Sequence, residues 1–140
     1  MHERLSRKIM ALAALALLAC DSDDPFTPSV DNVSGSYTAT TFTTTIAGVT
    51  TDQLAAGASV TLTLAAVGTT SGRLFVPDAD EDGGDFDADL TGTWTLTGTT
   101  VSFAHSADTF IRDINFVAAD RQLTAEGSFG GDAVRLVLSR

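Results

Sequence analysis

Apolar and polar residues alternate along most of the chain after residue 33. Apolar side chains occupy every second position in the segments 60–64, 94–96 and 134–138, and threonines fill many of the positions between them. A period of two residues is typical of β-strands with one buried face, and β-branched residues such as threonine favour strands. The pattern therefore predicts an all-β domain.

Turn residues divide this pattern into predicted strands. Gly98-Thr99 and Gly130-Gly131 each leave only two residues between apolar runs, which is the spacing of tight hairpins. Residues 51–57 belong to none of the predicted strands, and their sequence is compatible with one helical turn that ends at Gly57. The predicted strands are 34–46, 58–66, 70–76, 86–96, 100–105, 109–117, 122–129 and 132–139.

Short links between these strands favour an up-and-down order. Antiparallel strands can remove their exposed edges by closing into a barrel or by stacking as a β-sandwich. Because the links are too short for the long crossovers of a Greek key, we expect a small antiparallel barrel of about eight strands over residues 33–140, with the sandwich as the alternative.

The N-terminus carries a different pattern. Cationic residues at positions 4, 7 and 8 precede an apolar run, 9–18, which is shorter than the roughly 20 residues that span a bilayer. Leu17-Leu18-Ala19-Cys20 follows and resembles the lipobox of bacterial lipoproteins. The resemblance implies cleavage of a signal peptide, residues 1–19, and acylation of Cys20. The alternative is an ordinary secretory signal.

Acylation of Cys20 would place the protein in the bacterial cell envelope, attached to a membrane that the sequence does not specify. Two or three acyl chains, such as palmitate, hold a protein durably at about 0.8 kcal/mol per buried CH₂. Residues 20–32 are acidic and interrupted by prolines, and they predict a flexible tether between the membrane and the barrel.

Removal of residues 1–19, which hold three cationic residues and one glutamate, changes the formal net charge from −10 to −12. The remaining chain has no lysine. Nucleic acids and anionic lipid surfaces bind clustered lysine and arginine. The charge therefore argues against nucleic acid or an anionic lipid surface as a partner, and it favours solubility and a cation.

The strand count and rhythm resemble lipocalin-type and related calycin barrels. Gly35-Ser36-Tyr37 opens the first long strand and Gly92-Thr93-Trp94 lies in the fourth, whereas lipocalins carry Gly-x-Trp in the first strand. The resemblance implies that the barrel binds a small lipophilic ligand. The alternative is a filled barrel that serves as a structural or protein-interaction module. The predicted cavity residues are Leu62, Leu64, Trp94, Phe103, Phe110 and Phe116.

Arg112 is a further candidate for ligand binding. It has the parity of the apolar residues in the predicted strand 109–117, which would point it into the barrel. A buried arginine is costly unless it is paired, and fatty-acid-binding barrels, which the strand rhythm resembles, hold a carboxylate with an interior arginine. The alternative is a rim position where Arg112 reaches solvent or pairs with Asp108 or Asp113.

An acidic segment has the spacing of an EF-hand calcium loop. Asp78, Asp80 and Asp82 match the first, third and fifth ligand positions, Gly83 matches the sharp turn, and Asp89 matches the last ligand. Ca²⁺ is therefore a candidate cofactor. The alternative is a solvated hairpin loop, because the apolar residues after Gly84 already alternate as in a strand.

No catalytic residue is predicted. His105 is the single histidine after residue 19, and the serines beside it are neighbours in sequence only, whereas a triad must converge in space. The chain has no Gly-x-Ser-x-Gly and no glycine-rich phosphate loop. We therefore expect a non-enzymatic protein with His105 at the rim of the barrel.

Overall fold

The computed structural model describes residues 25–140, so Cys20 and the predicted signal peptide lie outside the described residues. Within that range the chain forms ten β-strands and two one-turn helices. In chain order these are α1 (Val30–Val33), β1 (Gly35–Ile46), β2 (Val49–Asp52), β3 (Ser59–Leu64), β4 (Thr69–Val76), β5 (Phe86–Asp89), β6 (Gly92–Thr97), β7 (Thr100–His105), α2 (Phe110–Asp113), β8 (Phe116–Ala119), β9 (Gln122–Phe129) and β10 (Asp132–Ser139).

Eight of these strands close an antiparallel barrel in the order β1-β3-β4-β6-β7-β8-β9-β10. Pairing of β10 with β1, from Thr38–Ser139 to Thr45–Ala133, completes the ring. The two remaining strands, β2 and β5, extend β1 and β4 respectively. The structure therefore confirms the predicted closed up-and-down barrel and not the alternative sandwich. The barrel is consistent with a calycin-like fold.

The two ends of the barrel differ. The first, called the α1 end, holds α1, the turns at 65–68, 98–99 and 120–121, and the C-terminal residue. The opposite end, called the open end, holds the 77–85 loop and the 106–115 segment that contains α2. The long strands β1, β9 and β10 run from one end to the other, so residue number along each of them gives depth in the barrel.

The α1 end is sealed by hydrogen bonds around Tyr37. The buried Tyr37 hydroxyl donates to the carbonyl oxygen of Val33 over 2.6 Å. Arg140 donates to the carbonyl oxygens of Ser34 and Asn32 over 2.6 and 2.5 Å, and its guanidinium lies 5.7 Å from the Tyr37 ring centroid. These contacts satisfy the Tyr37 hydroxyl and two carbonyl oxygens at this end, whereas the buried Arg140 Nε has no hydrogen-bond partner within residues 25–140.

The later part of the predicted tether packs onto the barrel. Phe26 lies against the core, and Ser29 and Asn32 form a reciprocal capping box that starts α1. The Asn32 side chain also donates to the carbonyl oxygen of Thr27 over 2.9 Å. A capping box stabilises the start of a short helical turn. The structure thus ties residues 26–32 to the α1 end.

A β-bulge in β1 explains how both of its large aromatic residues face the interior. Tyr37 and Phe42 differ in parity, so strict alternation would expose one of them. The register shifts between Ala39 and Thr41, which leaves Thr40 as the extra residue. Both aromatic side chains are consequently buried, and the bulge adds the bend that a barrel strand needs.

Two glycines allow neighbouring strands to approach closely. A Cβ atom on Gly72 would lie 2.1 Å from the carbonyl oxygen of Thr61, and one on Gly92 would lie 2.2 Å from that of Ala104. Gly72 also has a φ of 148°. A side chain at either position would require a backbone shift, so glycine is needed where β4 approaches β3 and where β6 approaches β7.

Most predicted strands are present, with three differences. The predicted strand 86–96 is broken between β5 and β6, where Leu90 donates its N–H to the carbonyl oxygen of Gly72 over 3.0 Å. The first half of the predicted strand 109–117 is wrong, because a helical turn buries the consecutive residues Phe110 and Ile111. The extra strand β2 was not predicted, since all four of its residues are exposed and lack alternation.

Candidate functional site

A cavity of about 550 Å³ enters the barrel at its open end. Small-molecule sites in proteins commonly measure about 300–1,000 Å³. The Phe110 ring lies between Phe42 and Phe129, with centroid separations of 5.4 and 6.2 Å, and forms an aromatic wall. The large apolar side chains that line the cavity are Phe42, Ile46, Leu74, Val76, Phe86, Phe110, Phe129 and Val134.

Two barrel strands, β1 and β4, change pairing partners as they approach the cavity. Near the α1 end β1 pairs with β3, but from Thr43 to Ile46 it pairs with β2 instead. In the same way β4 pairs with β6 at Thr69–Thr70 and with β5 at Arg73–Val76. Thr44 and Ile46 of β1, Leu74 and Val76 of β4, and Phe86 of β5 line the cavity. The parts of β1 and β4 nearer the α1 end surround packed side chains.

The structure separates the six predicted cavity residues. Phe110 lines the cavity. The other five lie in the packed core: Leu62, Leu64, Trp94, Phe103 and Phe116. Within that core the Phe103 and Phe116 rings meet edge to face at 5.3 Å, and the Trp94 indole N–H donates to the carbonyl oxygen of Ala65 over 2.8 Å. The barrel is thus filled towards the α1 end and open at the other.

Arg112 lies on α2 and pairs with two carboxylates. Its Nη2 is 2.6 Å from Asp108 Oδ1, and its Nε is 3.1 Å from Asp113 Oδ1. The hydrogen bond with Asp113 raises the pKa of Arg112, so the cation is retained. The prediction that Arg112 faces the barrel interior assumed the alternation of a strand, and this assumption does not hold for a residue in a helical turn. The side chain takes the rim arrangement and is not among the residues that line the cavity.

The acidic segment forms a turn held by its own backbone. Asp80 donates its N–H to the carbonyl oxygen of Gly84, and Gly83 donates to that of Asp80, each over 2.9 Å. Asp89, the last of the four predicted calcium ligands, lies on β5 opposite Arg73. Across residues 25–140 no three His, Cys, Asp or Glu side chains are grouped so that they could hold a metal ion. Asp82 does not line the cavity, whereas Asp78 and Asp80 do.

The cavity mouth is strongly acidic. Five carboxylates line it, and no arginine, lysine or histidine is found among its lining residues in the described part of the chain. Asp108 is paired with Arg112. The remaining four carboxylates have no ion pair within residues 25–140. The lining carboxylates are Asp78, Asp80, Glu81, Asp108 and Asp132.

Three uncharged polar residues line the cavity: Thr44, Gln53 and Thr109. Gln53 lines the cavity and donates from Nε2 to Thr44 Oγ1 over 2.7 Å. Thr109 also lines it, is only 2% exposed, and has no hydrogen-bond partner for its hydroxyl in the part of the chain described. Sequence analysis missed Thr109, although a threonine directly before a helical turn is a recognisable N-cap signal. Here the side chain makes no capping hydrogen bond.

His105 is the last residue of β7, as predicted, but its side chain is buried and does not reach solvent at the rim. The residue is 5% exposed, and its ring stacks on Phe103 with a centroid separation of 5.1 Å. Neither ring nitrogen has a hydrogen-bond partner within residues 25–140. Burial lowers the pKa of His105 below its ordinary value, because the charged form is poorly solvated in the barrel.

Comparisons with known proteins provide no relative for this chain. No family model, no curated protein and no solved structure matches it. In the stretch from residue 25 to residue 140, neither helix has the length and apolar character needed to cross a membrane. Function must therefore be inferred from the cavity itself.

Proposed function

We propose that this protein binds a small lipophilic molecule in the open-end cavity. The observation that carries the proposal is the cavity of about 550 Å³ whose wall is aromatic and aliphatic. Apolar surface that is concave and open to solvent commonly marks a ligand site. Transfer of a ligand's apolar surface from water to this wall would supply affinity at about 25 cal/mol per Å².

The packed half of the barrel supports this proposal. Core side chains towards the α1 end are almost fully buried, including Tyr37, Phe116 and Leu138. Such burial stabilises a fold by about 1.5–3 kcal/mol for each large apolar side chain. The open end therefore does not need to be filled by side chains for the domain to fold, and it is free to hold a ligand.

We also propose that Cys20 is acylated and attaches the protein to a membrane of the bacterial cell envelope. Because Phe26 and α1 pack at the α1 end, attachment shortly before them would turn that end towards the lipid and the cavity mouth away from it. Metabolic labelling with radioactive palmitate tests this, with Cys20→Ser as the control. Absence of label in the wild-type protein would refute lipid attachment.

A protein-interaction module is the second candidate, and one feature favours it. The hairpin of β1 and β2 exposes Ile46 and Val49 beside the open end, and β2 pairs with β1 alone among the described strands. An exposed strand edge can accept a strand from a partner. Copurification of one envelope protein with the wild-type chain, and its loss in Val49→Lys, would support this function.

Ligand binding can be tested with a matched pair of variants. Val76 lines the cavity, whereas Val117 faces outward on β8 and is exposed. Val76→Trp should block the cavity and abolish the fluorescence increase of Nile red, a neutral lipophilic dye, on the purified full-length protein. Val117→Trp makes the same chemical change outside the barrel and should leave dye binding intact. Equal dye binding by both variants would refute the proposal.

A further inference from the structure

We infer that residues 106–115, here called the strap, act as an acid-sensitive gate in the wall of the cavity, with His105 as the trigger. The strap contains α2 and contributes Phe110 to the aromatic wall. Two features carry the inference: the strap has few backbone contacts with the barrel, and the buried imidazole beside it has no polar partner among the described residues. Opening of the strap goes beyond the proposed function, whereas its effect on ligand release rests on that function.

Backbone pairing attaches the strap only weakly. β7 pairs with β6 along its whole length but with β8 only at Thr100 and Val101. Of the backbone hydrogen bonds that the strap makes within residues 25–140, one reaches the rest of the barrel, from the Ser106 N–H to the Thr91 carbonyl oxygen over 3.3 Å, and the others run within the strap. The strap therefore interrupts the strand ladder between β7 and β8.

Side-chain contacts hold the strap in place instead. Ile111 is fully buried, and Ile114 fits against the bare backbone of Gly127 on β9, where a Cβ atom would lie 2.9 Å from Ile114 Cγ2. Ser102 Oγ donates to Asn115 Oδ1 over 3.1 Å. A segment held by a few side chains and little backbone bonding opens at a lower free energy than the whole fold.

His105 lies where β7 enters the strap. It alternates with the buried residues Val101 and Phe103, so its ring points into the barrel. A full ladder fixes β6 to β7, whereas α2 packs against β7 without one. Movement of the strap is therefore the least costly way to bring water to the imidazole. A protonated ring that stays buried without a partner is strongly disfavoured, so protonation favours the open strap.

The charged groups around β7 do not offset the burial of an imidazolium. β6 and β8 contain no titratable residue. The strap contains Asp108, Arg112 and Asp113, and the arginine pairs with both carboxylates. Asp89, at the end of β5, is exposed. Within residues 25–140 His105 forms no ion pair, and burial lowers its pKa. The open strap thus gains protons as the pH falls below about 6.5, the pKa of an exposed histidine.

Opening of the strap would dismantle one side of the cavity. The Phe110 ring lies 5.4 Å from that of Phe42 and 6.2 Å from that of Phe129. If α2 moves outward, Phe110 leaves this wall and the apolar contact surface of a ligand decreases. On the proposed function, acidification therefore promotes release of the lipophile.

Thiol labelling of a buried cysteine measures the opening. Ile111→Cys places the thiol in the strap and Leu138→Cys places it in the packed core, and both native side chains are fully buried. Each is made in the full-length protein with Cys20→Ser and labelled with a pyridyl disulfide, with rates corrected for intrinsic thiol reactivity. At pH 7 the strap thiol should react at least about tenfold faster than the core thiol. About 1 M urea should accelerate the core thiol by about fivefold or more and the strap thiol by less than about threefold, because local opening exposes less surface.

Labelling at pH 5.5 tests the trigger. With a pKa near 6.5 for the exposed imidazole, the open population rises by up to about eightfold between pH 7 and pH 5.5. His105→Gln in the Ile111→Cys chain should abolish this acceleration. Asp108→Asn/Asp113→Asn is the matched control, because it removes the strap carboxylates and keeps the imidazole, and it should retain the acceleration. Ile114→Cys gives the same readout at the end of α2 if Ile111→Cys does not fold.

Nile red connects the strap with the ligand. Dissociation of the dye from the wild-type protein should be faster at pH 5.5 than at pH 7, by up to about eightfold, if the open strap is the route of release. His105→Gln should release the dye at the same rate at both pH values.

The outcomes separate the strap from the proposed function. If the strap and core thiols react at equal rates with equal urea dependence, opening is global and the strap is overturned. If acid acceleration persists in His105→Gln, or disappears in Asp108→Asn/Asp113→Asn, His105 is not the trigger. If Nile red does not bind at either pH, lipophile binding fails while the labelling results still decide the strap. If the dye binds but dissociates at a rate independent of pH, the link between the strap and release is overturned.

Discussion

Replacement of His105 by leucine should stabilise the domain. The imidazole is 5% exposed, and neither nitrogen has a hydrogen-bond partner within residues 25–140. A buried polar group without its partner costs about 1–3 kcal/mol, and an apolar replacement of similar shape removes that cost. The stacking contact with Phe103, at 5.1 Å between centroids, would be lost and offset part of the gain. We expect His105→Leu to unfold with a free energy about 1–2 kcal/mol higher than wild type at pH 7.

The same substitution should remove a pH dependence. An unfolded histidine has a pKa near 6.5, and burial lowers the pKa of His105 in the folded protein. Between these two pKa values the unfolded chain binds more protons, so wild-type stability falls as the pH falls from about 6.5 through the folded pKa. The slope approaches about 1.4 kcal/mol per pH unit in that interval. His105→Leu has no titrating group there, and its stability should change less.

Urea denaturation followed by Trp94 fluorescence would measure both effects, at pH 7 and at pH 5.5. His105→Gln is the control, because it keeps buried polar atoms but does not titrate in this range. The free energy of unfolding of His105→Gln should lack the pH dependence of wild type, and at pH 7 it should not exceed the wild-type value. A His105→Leu protein that is less stable than wild type at pH 7, or that keeps the wild-type difference between pH 7 and 5.5, would refute the reasoning.

The remaining predictions concern the barrel framework and use the same denaturation assay. Gly72→Ala should cost about 3 kcal/mol or more, because its Cβ would lie 2.1 Å from the Thr61 carbonyl oxygen; a cost below about 1 kcal/mol would contradict the close approach of β3 and β4. Tyr37→Phe should cost about 1–2 kcal/mol, because the buried Val33 carbonyl loses its 2.6 Å partner. Asp87→Asn breaks the ion pair with Arg73 but should leave the midpoint unchanged, since both side chains are largely exposed.

Hairpins with two-residue links are the part of the fold that the sequence predicts most accurately. The boundaries of β7, β9 and β10 agree with the predicted strands 100–105, 122–129 and 132–139. Turn chemistry fixes both the strand ends and the register in such hairpins. Closure of the barrel follows from the same pattern, because successive hairpins leave only the first and last strands to pair.

The site was harder to predict, because alternation does not distinguish a side chain that fills a core from one that lines a cavity. Trp94 and Phe86 both alternate with polar neighbours, yet Trp94 is packed and Phe86 lines the cavity. The bulge at Thr40 gives no sequence signal in a run of threonines. The pair Phe110-Ile111 is the one local sign that strand parity fails near Arg112, since a strand cannot bury two consecutive residues on one face.

The lengths of the links between strands explain why the barrel is packed at one end and open at the other. At the α1 end, turns of two to four residues hold the strands together, and Arg140 and α1 cover the interior. The two longest links within residues 25–140, 77–85 and 106–115, both lie at the open end and contribute side chains to the cavity. Loop closure becomes only slightly more costly as a link lengthens, and surface loops tolerate substitution better than core strands. Changes in these two links can therefore alter the charge and shape of the mouth while the packed α1 end continues to determine the stability of the fold.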